Sequence, residues 1–248
     1  MPDAVRPGAS APWLGAPGAR RSGFTLEVVG AQLRAAKRTF DGDGVSMGYE
    51  SAGDLGATSP NAARRSAVLV ALYEVDGEAH VVLTRRARAM AHHGGEIAFP
   101  GGRSEPGESP LATALREASE EVNLDPASAT AIAWLTPLAT FATKSAIYPI
   151  VVTLGKAPNL VANPAEVDDV FALALRDLVA EGNFVEERWR HRDLRPGADG
   201  DGFVAIHFYR APHDLIWGAT ARVLSELLGY VTGVTWPAAE GVAAKSPE

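Results

Sequence analysis

Residues 102–124 read GRSEPGESPLATALREASEEVNL, and the reading of this stretch decides the fold. Ser109 before Pro110 supplies an N-cap and a proline at the first helical position, and Asn123 can close a helix in the left-handed conformation. The segment between them is therefore expected to be helical. Leu111, Leu115, Ala118 and Val122 recur at helical spacing and predict one buried stripe. Glu117, Glu120 and Glu121 stand at i, i+3 and i+4, so their carboxylates share a neighbouring face. They repel one another unless something positive sits among them, and Arg116 screens one side only. Next to the glycine-rich run Phe99-Pro100-Gly101-Gly102, such a cluster suits a divalent cation held by oxygen ligands. A solvated acidic face is the plainer alternative.

Outward from the helix, Ala67 to Val75 is apolar and β-branched, Asp76-Gly77 is a hairpin turn dipeptide and His80 to Arg85 reads as the returning strand. Ala131 to Leu138 and Ile147 to Leu154 are strand-like, Leu173 to Ala180 predicts a short helix, and Val204, Ile206 and Phe208 alternate as in a strand. Val223, Leu224, Leu227 and Leu228 mark a final helix from Ile216 to Tyr230. Ala31 to Phe40 predicts a short helix that Asp41-Gly42-Asp43-Gly44 stops, and Ser51 to Asn61 reads as loop. Pro2, Pro7, Gly8, Pro12, Gly15, Pro17 and Gly18 predict a disordered start to the chain. The organisation expected is an N-terminal tail and short helix over 1–64, a folded domain over 65–232 and a disordered tail over 233–248.

The chain has 248 residues, of which 23 are Lys or Arg and 30 Asp or Glu, for a net charge of −7. Its mean field repels nucleic acid, so an anionic ligand must be captured locally. Zero cysteines exclude disulfides, thiolate metal sites and cysteine nucleophiles. The longest apolar run, Ala67 to Tyr73, is far short of the roughly 18 residues of a membrane span. Met1 to Gly23 holds Arg6, Arg20 and Arg21 without a secretory-type apolar run, which makes the cytoplasm the expected location.

The spacing Gly102, five residues, Glu108, seven residues, Arg116-Glu117-Ala118, one residue, Glu120-Glu121, one residue, Asn123-Leu124 closely resembles the Nudix box, Gx5Ex7REUxEExGU with U a bulky apolar residue. Ala118 is small where U is usual, and Asn123 replaces glycine. The resemblance implies an α/β fold, a Nudix-type α/β/α sandwich with a mixed β-sheet, the box helix on one face and the C-terminal helix on another. It also implies Mg²⁺ or Mn²⁺ on Glu117, Glu120 and Glu121 with the Gly101 carbonyl, and a Glu108–Arg116 pair orienting the loop. Glu117, Glu120 and Arg116 would take part in catalysis, with Glu166 as the loop acid that assists the water and Asp168 and Asp169 behind it. The family hydrolyses nucleoside diphosphates linked to another moiety.

Upstream, Leu83-Thr84-Arg85-Arg86-Ala87, Gly95 and Phe99-Pro100-Gly101-Gly102 resemble the signature of the coenzyme A pyrophosphatase branch, approximately LLTxR[SA]x3Rx3Gx3FPGG. Val82 stands for the first leucine and Ala91 for the second arginine, with Arg88, His92 and His93 nearby. Asn163-Pro164-Ala165-Glu166-Val167 and Ile216-Trp217-Gly218-Ala219-Thr220-Ala221-Arg222 resemble the same branch. The implied reaction is hydrolysis of coenzyme A or acyl-coenzyme A to 3′,5′-ADP and 4′-phosphopantetheine or its acylated form. Arg85, Arg86, Gly95, Phe99 and Gly102 are the expected substrate contacts. Alternatives are a Nudix hydrolase of NADH, ADP-ribose or a nucleoside triphosphate, and a nucleotide-binding regulator without turnover. Trp217 at a helix start reads first as a core residue, with a pocket wall as the alternative. Arg188, Arg190, His191, Arg192 and Arg195 around Trp189 read as a solvated hairpin. The partners expected are a small-molecule substrate and a second copy in a homodimer, with no nucleic acid and no membrane.

Overall fold

The Asp76-Gly77 dipeptide makes the predicted turn: both residues adopt positive φ, 50° and 75°, which matches the right-handed twist of the flanking strands. A computed structural model describes residues 2–36, 64–90, 93–140, 145–190, 202–212 and 214–234. In chain order these form β1 (Ala4–Pro7), α1 (Pro12–Gly15), α2 (Leu26–Ala35), β2 (Arg64–Val75), β3 (Glu78–Arg86), β4 (Ile97–Ala98), β5 (Gly101–Arg103) and α3 (Pro110–Val122). There follow β6 (Ala129–Trp134), β7 (Leu138–Thr140), β8 (Ser145–Leu154), β9 (Val167–Ala174), α4 (Leu175–Leu178), β10 (Phe184–Arg190), β11 (Val204–Ala211), β12 (Asp214–Trp217) and α5 (Gly218–Thr232).

The larger sheet runs β4-β3-β2-β8-β6, with β5 on β2, β7 on β8 and β9 on β3. It is mixed, because β2 and β8 pair in parallel while the other pairs are antiparallel. Strand alternation divides its residues between two cores. Ala67, Leu69, Ala71 and Val82 face α3, whereas Val70, Leu72, Val81 and Leu83 face α2 and α5. The expected α/β/α arrangement is thus present. Beyond α2 and α5 lies a second, antiparallel sheet of order β1-β10-β11-β12, whose Phe184, Tyr209 and Ile216 close the same core. Its β11 was expected as a strand and the end of β10, around Trp189, as part of a hairpin.

The start of the chain differs from expectation. Pro2, Pro7, Gly8 and Pro12 read as a tail, yet β1 pairs with β10 over Ala4–Pro7, and Trp13 and Phe24 are buried in the core. An edge strand needs few apolar residues of its own when the neighbouring strand supplies the ladder, and prolines are tolerated there. The expected helix at Ala31 starts earlier, at Leu26, because Thr25 caps it by accepting from the Val28 N–H at 3.2 Å. Val167 to Ala174 form a strand against β3 rather than entering a helix at Leu173, and Ile216 and Trp217 finish β12 before α5 begins. The loop expected at Ser51 to Asn61 and the Asp41–Gly44 stop lie outside the described residues, as does the tail after Val234. Among the described residues no helix is long and apolar enough to cross a membrane.

Candidate active site

Helix α3 begins as the sequence predicts, with the Ser109 hydroxyl accepting from the Ala112 N–H at 3.2 Å and Pro110 at its first turn. Asn123 ends it at φ 54°, in place of the family's glycine, and the side chain smaller than the pattern, Ala118, is fully buried. The buried stripe is rotated from the expected one: Thr113, Ala114, Ala118, Glu121 and Val122 lie deepest, and Leu111 and Leu115 sit at the margin. Small side chains let the helix approach the sheet, and that rotation carries Glu121 inside.

Glu121 is 2% exposed. Its Oε2 accepts from the Gly101 N–H at 3.0 Å, and the Arg86 guanidinium stands 3.6 Å from its Oε1. Burial pushes its carboxyl up to about 7, against the Gly101 bond and Arg86, with the charges of Glu117 and Glu166 adding to the rise. Burial likewise raises Glu117, which Arg116 opposes from 3.1 Å. Room for the Glu117 carboxylate exists because residue 102 is glycine: a Cβ there would lie 2.5 Å from it. Carboxylate oxygens of Glu117, Glu121 and Glu166 all lie within 4.8 Å of one another.

Glu166 comes from a different element, and a residue that sequence reasoning had not weighed for this purpose delivers it. Asn163 donates its N–H to the Glu121 carbonyl at 2.8 Å and its side-chain amide to the Glu120 carbonyl at 3.2 Å, while the Val161 N–H reaches the Val122 carbonyl at 3.0 Å. The loop therefore satisfies the open carbonyls at the end of α3. Asn163 Oδ1 then accepts from Ala165 at 3.1 Å and its carbonyl accepts from Glu166 and Val167, which turns the chain back toward the acids. The signal was the Asn-Pro dipeptide, a turn former whose side chain bonds two residues on.

Arg116 organises the exposed side. Its Nε and Nη2 donate to Glu108 at 2.8 and 3.1 Å, Nη2 also donates to the Arg103 carbonyl, and Nη1 donates to Glu120 at 3.0 Å. The bond from Arg116, followed by that from the Glu105 N–H, holds the Glu108 carboxyl down to about 2. Glu120 is drawn to Arg116 and half exposed, so it borders the three-acid group without joining it.

The expected substrate contacts separate. Arg86 faces the acids, and its Nη2 also meets Met90 Sδ at 3.1 Å. Arg85 turns instead to β12, and a register shift against β9 falls between the two arginines. Its Nη1 donates to Asp214 Oδ2 at 2.6 Å, and it lines a separate cleft with Gly95 and Trp217. Phe99 is core, 3% exposed. Trp217, read first as a core residue, is 42% exposed because it closes an outer strand. In the basic patch, Arg188 pairs with Glu186 at 3.2 Å. His191, Arg192, Arg195, Ala91 and His92 lie outside the described residues.

All donors around the acid group are hard oxygens, which fit a divalent cation. A profile of the NUDIX domain matches residues 63–194. The chain belongs to the Nudix family. A protein of Photorhabdus laumondii named uncharacterized Nudix hydrolase NudL is 33% identical over 150 residues, covering 59% of this chain and 74% of its own length. Nudix hydrolase 3 of Caenorhabditis elegans is 31% identical over 171 residues, covering 65% and 70%. Among solved structures, the Nudix hydrolase RenU from M. smegmatis is similar at 22% identity and a TM-score of 0.41, over 47% of this chain and 73% of that one. This Nudix chain is thus a hydrolase acting on a phosphorus anhydride of a nucleoside diphosphate derivative, in a family that uses divalent cations.

Proposed function

We propose that the enzyme hydrolyses the diphosphate bond of coenzyme A or an acyl-coenzyme A, releasing 3′,5′-ADP and 4′-phosphopantetheine or its acylated form. The observation that carries this reading is the convergence of the Leu83–Gly102 signature on the acid group. Arg86 and Gly101 belong to that signature, and both reach Glu121, one by its guanidinium and the other by its N–H.

Glu117, Glu121 and the Gly101 carbonyl, with Glu120 alongside, would hold Mg²⁺ or Mn²⁺. Bound there, the cation neutralises charge developing on the diphosphate and lowers the pKa of a water. Arg86, a partly buried side chain, binds the diphosphate from the sheet side. Arg116 holds Glu117 and Glu120 in place through Nη1. Glu166 reaches the same spot on a separate loop and accepts the proton of the attacking water at its carboxylate. Water oxygen bonds to phosphorus, the bridging P–O bond breaks, and the second phosphate leaves with the electron pair.

Chromatography of the products from coenzyme A, NADH, ADP-ribose and nucleoside triphosphates, each with Mg²⁺, Mn²⁺ or chelator, tests this. The reading expects 3′,5′-ADP from coenzyme A, with either cation only, and faster than product from the others. Faster cleavage of another diphosphate overturns the coenzyme A assignment and favours the second reading, for which the alanine at position 91 is the specific reason. The intact set of Arg116, Glu117, Glu120 and Glu121 supports turnover over mere binding.

A further inference from the structure

Two partners of different kinds hold the Arg86 guanidinium. Nη1 stands 3.6 Å from Glu121 Oε1, and Nη2 donates to Met90 Sδ at 3.1 Å. The group is planar and rigid, so contacts at both terminal nitrogens fix the plane in which its other N–H groups lie. With the carboxylate alone it would pivot about that one contact.

The sulfur is itself placed by the backbone. Residues 87–90 form a turn in which the Met90 N–H donates to the Ala87 carbonyl at 3.0 Å. The Ala87 N–H donates to the Glu166 carbonyl at 2.8 Å, and the Arg88 N–H donates to Asp168 Oδ2 at 3.3 Å. Two N–H groups of the turn are therefore bound to the segment that carries Glu166. Ala87 is 4% exposed and Met90 half-buried, so the thioether stands on a fixed base beside the acid group.

The kind of acceptor matters as much as its place. A thioether is uncharged and accepts weakly; it directs Nη2 and leaves the positive charge of the guanidinium for an anion. Arg85, the preceding residue, is treated in the opposite way, because its Nη1 donates to Asp214 at 2.6 Å and a full negative charge opposes its own. A carboxylate at position 90 would do the same to Arg86, in addition to Glu121.

We infer that Met90 is a positioning residue for the hydrolysis, its sulfur fixing the Arg86 guanidinium toward the diphosphate without neutralising it. This rests on the proposed role of Arg86 in binding the diphosphate, and it holds for whichever moiety the diphosphate carries.

The test measures kcat and KM in Mg²⁺, on the diphosphate that the product assay shows to be cleaved, for Met90→Leu, Met90→Gln, Met90→Glu, Arg86→Ala and the double variant Met90→Leu with Arg86→Ala. Leucine nearly conserves the volume and removes the acceptor; KM should rise roughly threefold with kcat within about twofold of wild type. Glutamine supplies a neutral acceptor and should return KM to near the wild-type value. Glutamate matches glutamine in shape and adds the charge, and should raise KM roughly tenfold over it. That last comparison reads the charge alone and stands even if Met90→Leu does not fold. A side chain that merely fills space predicts another order, with leucine like wild type and glutamine and glutamate impaired alike, and this order overturns the inference. In the Arg86→Ala background Met90→Leu should have no further effect on KM; an undiminished effect there also overturns it. An unchanged KM in Arg86→Ala overturns the diphosphate role of Arg86 on which the inference rests. A raised KM in Arg86→Ala with wild-type KM in Met90→Leu and Met90→Glu leaves that role standing and overturns only the part given to Met90.

Discussion

Glu121 on α3 and Glu186 on β10 are both largely buried carboxylates, yet their surroundings act on them in opposite directions. Around Glu121, burial prevails over a single N–H bond and a guanidinium 3.6 Å away, and two further acids raise its carboxyl to about 7. Around Glu186, burial also pushes upward, but the bonds from His207 and the Ala9 N–H and the charges of His207 and Arg188 outweigh it and hold the carboxyl below its usual range. That network continues inward. The Ser225 hydroxyl lies 2.9 Å from His207 Nδ1, 2.8 Å from the Tyr209 hydroxyl and 2.9 Å from the Ala221 carbonyl. A serine, a histidine and a glutamate in a row resemble a nucleophilic triad, but Ser225 is fully buried and its hydroxyl is satisfied. Compensated charge ties β1, β10, β11 and α5 together; uncompensated charge is left where a cation and a diphosphate can supply the balance.

The largest effect expected from disturbing this contrast is on turnover. Glu121→Gln should lower kcat roughly 10²–10³-fold on whichever diphosphate the enzyme cleaves, and an unchanged kcat would remove Glu121 from the site. The same variant should be more stable than wild type in chelator at high pH. A carboxyl raised from 4.5 to about 7 by folding contributes fully below pH 4.5 and loses that contribution as pH rises through 7. At pH 8 wild type therefore carries a penalty of order 3 kcal/mol that glutamine lacks. Urea midpoints of the two proteins should coincide near pH 4 and diverge toward pH 8, and a constant offset would contradict the burial argument.

On the compensated side, Ser225→Ala deprives His207 and Tyr209 of a buried partner. It should cost about 1–3 kcal/mol in urea unfolding while kcat stays at the wild-type value. A loss of turnover without a loss of stability would make the network part of the site after all. Arg86→Ala should raise KM roughly tenfold with a smaller fall in kcat, if Arg86 binds the diphosphate equally in ground and transition states; a fall in kcat alone would place it in the chemical step. The smallest effect expected is that of Glu186→Gln, with a pH sign opposite to that of Glu121→Gln. Its destabilisation is present at neutral pH and fades as acid protonates the wild-type carboxylate below about pH 4.5, because a lowered carboxyl contributes above its unfolded value and not below its folded one.

Much of the site was legible along the chain because its parts are local. Ser109, Pro110 and Asn123 bound one helix, and the offsets of Arg116, Glu117, Glu120 and Glu121 follow from helical periodicity alone. The Asp76-Gly77 hairpin was legible for the same reason, since a two-residue turn sets its own geometry. The N-terminal strand was not, because β1 is held by the ladder of β10, about 180 residues later in the chain. Trp217 was misread because its exposure depends on β12 closing the edge of a second sheet, which no periodicity near residue 217 announces.

The sequence by itself determined the acidic face of α3, its two caps, the hairpin that begins the larger sheet, and family membership through residues spaced within some forty positions. Tertiary structure decided which acids meet. It turned Glu120 outward to Arg116, brought Glu166 beside Glu117 and Glu121 by way of Asn163, and sent Arg85 to β12 and Arg86 to the acids. The reason is physical: caps and periodicity act between residues a few positions apart, whereas burial and the partners of a charge depend on chain segments that meet only once the sheets have formed.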